Sequence, residues 1–220
     1  VNIQPFVYHL AEGENWPSIE RDGLFSTRSL LERAGIDGSI RTAVVQRHRP
    51  ARTILPSGMV IRDQKPIPPC ALERCLVGLS TAQWYELLNS NVFFWFDIAR
   101  LNRQRRACGG FPQVVLKIAT DRLLIRHATH IAFTPINSGN ARRKPAVRGA
   151  ATFVPYKNWT ETAWRSEAQA LGTRPRPRNH PPVELAIADS VPDIMDFVVS
   201  VRNLPPGCFY PVPGEVSRSK

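Results

Sequence analysis

Cysteine is scarce in this chain. Cys70, Cys75, Cys108 and Cys208 are its whole complement among 220 residues. Their irregular spacing excludes a dense disulfide framework, and no second pair and no nearby His joins Cys70 and Cys75 to complete a tetrahedral zinc set. The reading is free thiols in a reducing cytoplasm, with no metal. Long apolar runs are missing too: none approaches the roughly 20 residues of a membrane span, so no membrane partner is expected. The chain opens at Val1 with neither Met nor a signal-like apolar region, which reads as a trimmed N-terminus. There is no internal repeat. A dinucleotide GxGxxG, a phosphate loop and a Ser/His/Asp arrangement are all absent.

Acidic side chains are the other shortage. Eighteen Asp and Glu face 29 Lys and Arg, a net charge of +11, and most of the excess is Arg. Guanidinium groups suit bidentate phosphate contacts and stacking on bases. The basic residues also cluster, at Arg100, Arg103, Arg105 and Arg106, at Arg142, Arg143, Lys144 and Arg148, and at Arg174, Arg176 and Arg178. The clusters point to a polyanionic partner; solvated basic loops are the alternative. Hydrophobic content of 43% and charged content of 21% are those of an ordinary globular chain, enough for one sizeable core. We expect a single domain over residues 1–204 and a poorly packed tail over 205–220.

Alternation predicts a strand over Pro5–Leu10, and Trp16–Asp22 a short helix stopped by Gly23. Ser26-Thr27 caps a helix over Arg28–Ala34, and Arg41–His48 reads as another that ends before Pro50. Met59–Arg62 reads as a short strand. Ser80 through Gln83 is a capping-box pattern that opens a helix carrying Trp84, Leu87 and Leu88. Val92–Phe96 is an apolar aromatic strand, followed by an exposed Arg-rich helix over Ala99–Ala107. Further strands fall at Gln113–Ile118, Thr129–Phe133, Val183–Ile187 and Asp196–Val201, with a helix over Trp159–Leu171. The stretches 137–151 and 172–182 read as a mobile basic loop and an extended Pro/Arg-rich loop. This irregular interleaving predicts an α+β fold.

Two polar groups stand out on strands. Val183, Leu185 and Ile187 share one face, which places Glu184 opposite, beside the small Ala186 and Ala188. A carboxylate among small side chains suits the floor of a cleft; an edge-strand Glu facing water is the alternative. His9 points away from the face of Phe6, Tyr8 and Leu10, and a structural His is its alternative reading.

Tyr8-His9-Leu10, then Asn15-Trp16-Pro17-Ser18-Ile19, then Gly23-Leu24 resembles the opening motif of DarT-like DNA ADP-ribosyltransferases. Asn91 through Phe96 resembles that family's aromatic central strand. Val183 through Ile187, followed by Val191-Pro192 and Ile194, resembles its catalytic-glutamate strand. The matches occur in order across nearly the whole chain, while the stretch 62–85 is similar to a divergent DarT-related branch. The resemblance implies an ADP-ribosyltransferase-like fold: two small mixed or antiparallel sheets around an NAD cleft, with flanking helices. It implies NAD as co-substrate, release of nicotinamide and transfer of ADP-ribose to a nucleic-acid base, DNA favoured, in a toxin or defence effector with an antitoxin partner.

Under that resemblance Glu184 is catalytic, and Arg62 or Arg49 is the catalytic arginine, Arg62 preferred; an ion pair at the rim of the core is the alternative role. His9 would bond the adenosine ribose, assisted by Ser26 or Thr27. Leu10, Asn15, Gly23, Phe93 and Phe94 would complete the NAD site, an aromatic of that strand packing on nicotinamide. Arg142, Arg143, Arg174, Arg176, Arg178 and His180 would meet nucleic-acid phosphates, and Trp159 or Trp164 would stack on a base unless they belong to the core. Pro182, two residues before Glu184, speaks against an arginine acceptor. The same chemistry on a protein or small molecule, and a non-catalytic nucleic-acid-binding domain, are the alternatives. A related RNA phosphotransferase is disfavoured because its paired Arg and His residues are missing.

Overall fold

The structure, a computed structural model, describes residues 3–108, 110–142 and 144–212. It opens with β1 (Phe6–Glu12), α1 (Trp16–Asp22), β2 (Leu24–Phe25), α2 (Thr27–Arg33) and α3 (Gly38–Val45). There follow β3 (Thr53–Ile54), β4 (Val60–Ile61), α4 (Pro69–Glu73), α5 (Thr81–Asn89), β5 (Asn91–Trp95) and α6 (Ile98–Ala107). The second half holds β6 (Gln113–Ala119), α7 (Thr120–His127), β7 (Ile131–Thr134), β8 (Val154–Pro155), α8 (Tyr156–Thr162) and α9 (Arg165–Leu171). It closes with β9 (Glu184–Ala188), β10 (Ser190–Val191) and β11 (Val198–Leu204). The fold is α+β, as the interleaved pattern predicts.

The expected pair of small sheets is instead one seven-stranded antiparallel sheet, ordered β11-β6-β1-β5-β9-β7-β8, with two two-stranded ribbons, β10-β2 and β3-β4. The middle of the large sheet is its weakest seam. β1 runs beside β6 over seven registered pairs, from Phe6 with Ala119 to Glu12 with Gln113. Between β1 and β5 the only registered pair is Tyr8 with Trp95. β5 and β9 are paired throughout, from Asn91 with Ala188 to Trp95 with Glu184.

Both faces of the sheet are covered. One carries Val7, Phe94, Leu116, Leu185 and Ile187, packed against Ile19 of α1, Leu123 of α7 and Trp159 and Trp164. The other carries Tyr8, Leu10, Trp95 and Val115 under Leu101 of α6. Residues of α2, α3 and the β3-β4 ribbon form a satellite core around Leu31, Val45 and Ile61, and α4 and α5 form another around Trp84 and Tyr85.

Side-chain caps open three of the helices. Ser26 caps α2 by accepting from the Ser29 N–H, and the Ser80–Gln83 capping box opens α5 as its pattern requires. Asp97 caps α6 by accepting from the Arg100 N–H at 2.8 Å. Other expectations need correction. The helix placed at 41–48 runs over Gly38–Val45, because Asp37 and not a later residue stands at its N-cap position. The helix placed at 159–171 is two helices, broken at Ala163, whose φ of 51° cannot continue either one. That break turns Trp159 and Trp164 inward, 4% and 0% exposed, so neither stacks on a base. α7 lies where no element was expected: the run Leu123-Leu124-Ile125 hides its helical period, since Leu123 and Leu124 are buried while Ile125 is 83% exposed.

The Arg-rich helix α6 is not exposed all round, and it hydrogen-bonds the segment after Pro205, which is exposed along most of its described length. Arg105, 1% exposed, donates to the carbonyls of Phe111, Leu204, Pro205 and Cys208 and to Gln113 Oε1. Asn102 exchanges two hydrogen bonds with the Tyr210 backbone, and the Tyr210 ring meets Tyr8 edge-on at 5.4 Å. Arg105 is thus a clasp on the C-terminal segment, not a polyanion contact.

Candidate functional site

A cavity of about 860 Å³ opens where β1 and β5 part. Small-molecule clefts are commonly about 300–1,000 Å³. Its walls come from β1, α1, β2, α2, residues 57–67, the end of α5, β5, one side of α6 and residues 137–142, with Glu184 of β9. Past the Tyr8–Trp95 pair no backbone ladder joins the two strands; His9 Nδ1 bridges to the Phe93 carbonyl at 2.8 Å. A carbonyl only accepts, so Nδ1 carries the proton and Nε2 is left as an acceptor. Burial, opposed by that hydrogen bond and reinforced by nearby Arg62, lowers the His9 pKa to about 4, so the ring is neutral at physiological pH.

Glu184 is 3% exposed and lines the same cavity. By register it shares the pleat face of Trp95 and Tyr8, whereas His9 lies on the opposite face with Leu116. Both reach the cavity because the sheet opens between them. Glu184 Oε2 accepts from Thr134 Oγ1 at 2.9 Å and from the Ser138 N–H at 3.1 Å. Burial raises its pKa, against the lowering effect of the Ser138 and Thr134 hydrogen bonds and of the Arg148 charge. Arg148 is 1% exposed and donates to the carbonyls of Ser138 at 3.1 Å and Ala146 at 3.1 Å, its guanidinium 5.7 Å from the Trp84 ring centre. It is a buried strut behind the 138 turn and not a phosphate contact. The segment 137–151, expected to be mobile, is therefore pinned through Ser138, Ala141 and Arg148, all of them buried.

The two candidate arginines separate cleanly. Arg62 lines the cavity and pairs with Glu12 Oε1 at 2.8 Å while donating to the Leu10 carbonyl at 3.1 Å. Arg49 is 7% exposed and does not line it: its guanidinium is spent on the carbonyls of Arg62 and Val44 and on Asn89 Oδ1. Arg49 braces the wall from behind.

Leu10, Asn15, Gly23, Ser26, Thr27 and Phe93 all line the cavity. Several do so as architecture. Both ends of the Asn15 amide are taken by the Val60 backbone at 2.8 Å, which ties α1 to β4. Gly23 has φ of 91°, and a Cβ there would lie 2.5 Å from Pro192 Cα. Glycine is thus required where the β2 and β10 ribbon, carrying Leu24 and Val191, crosses over. Phe94 does not line the cavity: it is wholly buried, packed behind the His9 ring at 5.5 Å.

Of the expected phosphate contacts, Arg142 lines the cavity, where it also donates to the Lys65 carbonyl. Arg143 lies outside the described residues. Arg174 is exposed and does not line this cavity. Arg176 is drawn to buried Glu167 at 3.7 Å, and Arg178 edges a separate hollow of about 230 Å³. His180 is structural: its Nε2 meets the Pro135 carbonyl and its own carbonyl accepts from Trp164. The cationic rim comes instead from Arg100 and Arg103 of α6, with Lys65 and Arg142. Sequence reading missed Glu12, Thr134, Ser138 and the buried pair Gln64 and Asn89. Glu12 was findable as an acid at the end of a strand otherwise apolar; the others carry no local signal.

Among the described residues no helix is long and apolar enough to cross a membrane. No curated protein matches the chain. Residues 5–198 match one family model, and the chain belongs to that family, DUF7002, a family of unknown function.

Proposed function

We propose that this protein is an NAD-dependent mono-ADP-ribosyltransferase with an ADP-ribosyltransferase-like fold, and that a nucleic-acid base, DNA favoured, is its acceptor. The observation that carries the reading is a buried carboxylate, Glu184, in the wall of a cleft formed where an antiparallel sheet nearly divides. Breaking the bond between nicotinamide and ribose C1′ leaves positive charge on the sugar, and a fixed anion beside it favours that transition state. Nicotinamide departs neutral with the bonding electron pair. The acceptor atom forms the new bond to C1′, and its proton passes to Glu184 or to solvent.

The remaining residues support the same reading. Both hydrogen bonds on Glu184 fall on Oε2, so Oε1 is the oxygen free to meet the ribose 2′-hydroxyl. His9 Nε2, an acceptor by tautomer, suits a ribose hydroxyl at the other end. Arg62, whose Nη1 is uncommitted, offers donors to the pyrophosphate. Arg100, Arg103, Lys65 and Arg142 at the mouth suit the phosphates of an incoming strand.

The test is incubation with NAD and mixed DNA and RNA oligonucleotides, read by intact mass. An added ADP-ribosyl group is expected on an oligonucleotide, and Glu184→Gln should lower its rate by about 10²–10³-fold. A nuclease-resistant labelled protein band would move the acceptor to protein. Salt-sensitive nucleic-acid binding with no NAD turnover would leave a non-catalytic binding domain.

A further inference from the structure

Gln64 holds a buried acceptor with nothing to accept. It is 8% exposed and lines the cavity, and its Oε1 has no hydrogen-bond partner among the described residues. Which end of this amide is oxygen follows from its neighbours. Arg49 can only donate, and it donates to Asn89 at 3.0 Å, so that atom is Oδ1. The Val45 carbonyl can only accept, and it takes Asn89 Nδ2 at 2.8 Å, which fixes the same orientation independently. Gln64 must therefore turn Nε2 toward Asn89 Oδ1, a contact of 3.5 Å, and its oxygen away. The backbone is held as well, by Gln64 N–H to the Arg49 carbonyl at 2.7 Å and by His48 Nε2 to the Gln64 carbonyl at 3.0 Å. Arg49, Asn89 and Gln64 thus form a relay that ends on an unanswered oxygen.

Leaving such an acceptor unpaired in the interior is unfavourable. The ligand that answers it must bring an N–H or O–H. Its position names the donor: the Pro66 carbonyl accepts the Ala141 N–H at 2.9 Å, and the same 138–141 turn caps Glu184 through Ser138. Gln64 thus lies on the cavity wall that continues, through Pro66 and the 138–141 turn, to Glu184, beside which the proposed function puts the nicotinamide ribose. We propose that Gln64 Oε1 accepts an N–H from the nicotinamide carboxamide and makes the site selective for a primary amide on the leaving group. The terminal torsion of Gln is soft, so the oxygen can swing to the ligand without moving the backbone. This inference rests on the dinucleotide reading and can fail without it.

The test is calorimetric binding of three dinucleotides in the Glu184→Gln background, where NAD is not consumed: NAD, its 3-acetylpyridine analogue, whose carboxamide amine is a methyl, and its hypoxanthine analogue, whose adenine amine is an oxo group. The acetylpyridine analogue should bind about tenfold more weakly than NAD, the scale of about 1.4 kcal/mol for one unanswered polar group. Adding Gln64→Met should bring that ratio close to one, and adding Gln64→Glu, which keeps an acceptor, should preserve it. Melting temperatures establish that each variant is folded. A tenfold ratio that survives Gln64→Met overturns the assignment, and so does a loss of discrimination confined to the hypoxanthine analogue. Absence of NAD binding by both wild type and Glu184→Gln overturns the dinucleotide reading itself.

Discussion

At the residue scale the site is governed by two titratable groups, buried Glu184 and half-buried His9. Glu184 has a pKa raised above the ordinary 4.5 because burial penalises its anion more than its hydrogen bonds and Arg148 favour it. The folded chain therefore holds this proton more tightly than the unfolded one. That contribution to stability is present at acidic pH and is lost as pH rises through the folded value. Glu184→Gln should raise the melting temperature at neutral pH, with the gain shrinking toward pH 4, while it lowers turnover by the same about 10²–10³-fold. Turnover by the wild type should fall on an acid limb whose midpoint lies above 4.5. His9 works the other way. Its pKa drops from 6.5 to about 4, so the stability of its neutral form is present above 6.5 and is lost as pH falls from there to about 4. An NMR titration of the His9 ring should show it neutral at pH 6; a midpoint near 6.5 would contradict the half-buried, Nδ1-protonated ring.

At the scale of elements, strands and caps were readable because their causes are local. The Ser80–Gln83 box, the Ser26 cap and the alternation from Glu184 to Ala188 each lie within a few residues and appear as read, whereas Val183, just before the strand, packs with Tyr8 and Trp95 and not with Leu185 and Ile187. The split between α8 and α9 was not, because it turns on the positive φ of Ala163, and α7 was missed although its buried Leu123 and Leu124 stand against exposed Asp121, Arg122 and Arg126. α6 is the element that joins fold to site: Leu101 and Arg105 anchor it, and Arg100 and Arg103 turn to the cavity. Its cap is a single side chain, Asp97. Asp97→Ala should destabilise the protein by about 1 kcal/mol in urea denaturation. If the rim reading holds, the same change should weaken oligonucleotide binding at low salt, since the first turn carries Arg100. Equal stability in the two proteins would mean that the cap bond contributes nothing.

At the scale of the whole molecule the chain is closed by long-range polar contacts. Arg105 gathers four carbonyls, three of them from residues 204–208, so Arg105→Met leaves those acceptors without a buried donor. We expect a loss of about 3 kcal/mol or more and new protease cleavage within 205–212, seen by mass spectrometry of partial digests. A variant that melts like the wild type and resists cleavage would show that the segment is held by Tyr210 and Asn102 instead.

Sequence by itself determined the α+β class, the strands that carry His9 and Glu184, and an arginine excess concentrated in three clusters. Only the tertiary structure decided that Arg62 and not Arg49 lines the cavity, that Arg105 and Arg148 are struts, and that Gln64 ends a relay with a free oxygen. The reason is range. A pleat or a cap is set by neighbours a few residues away, whereas the burial of a guanidinium or an amide is set by carbonyls and side chains that arrive from 10 to 100 positions along the chain.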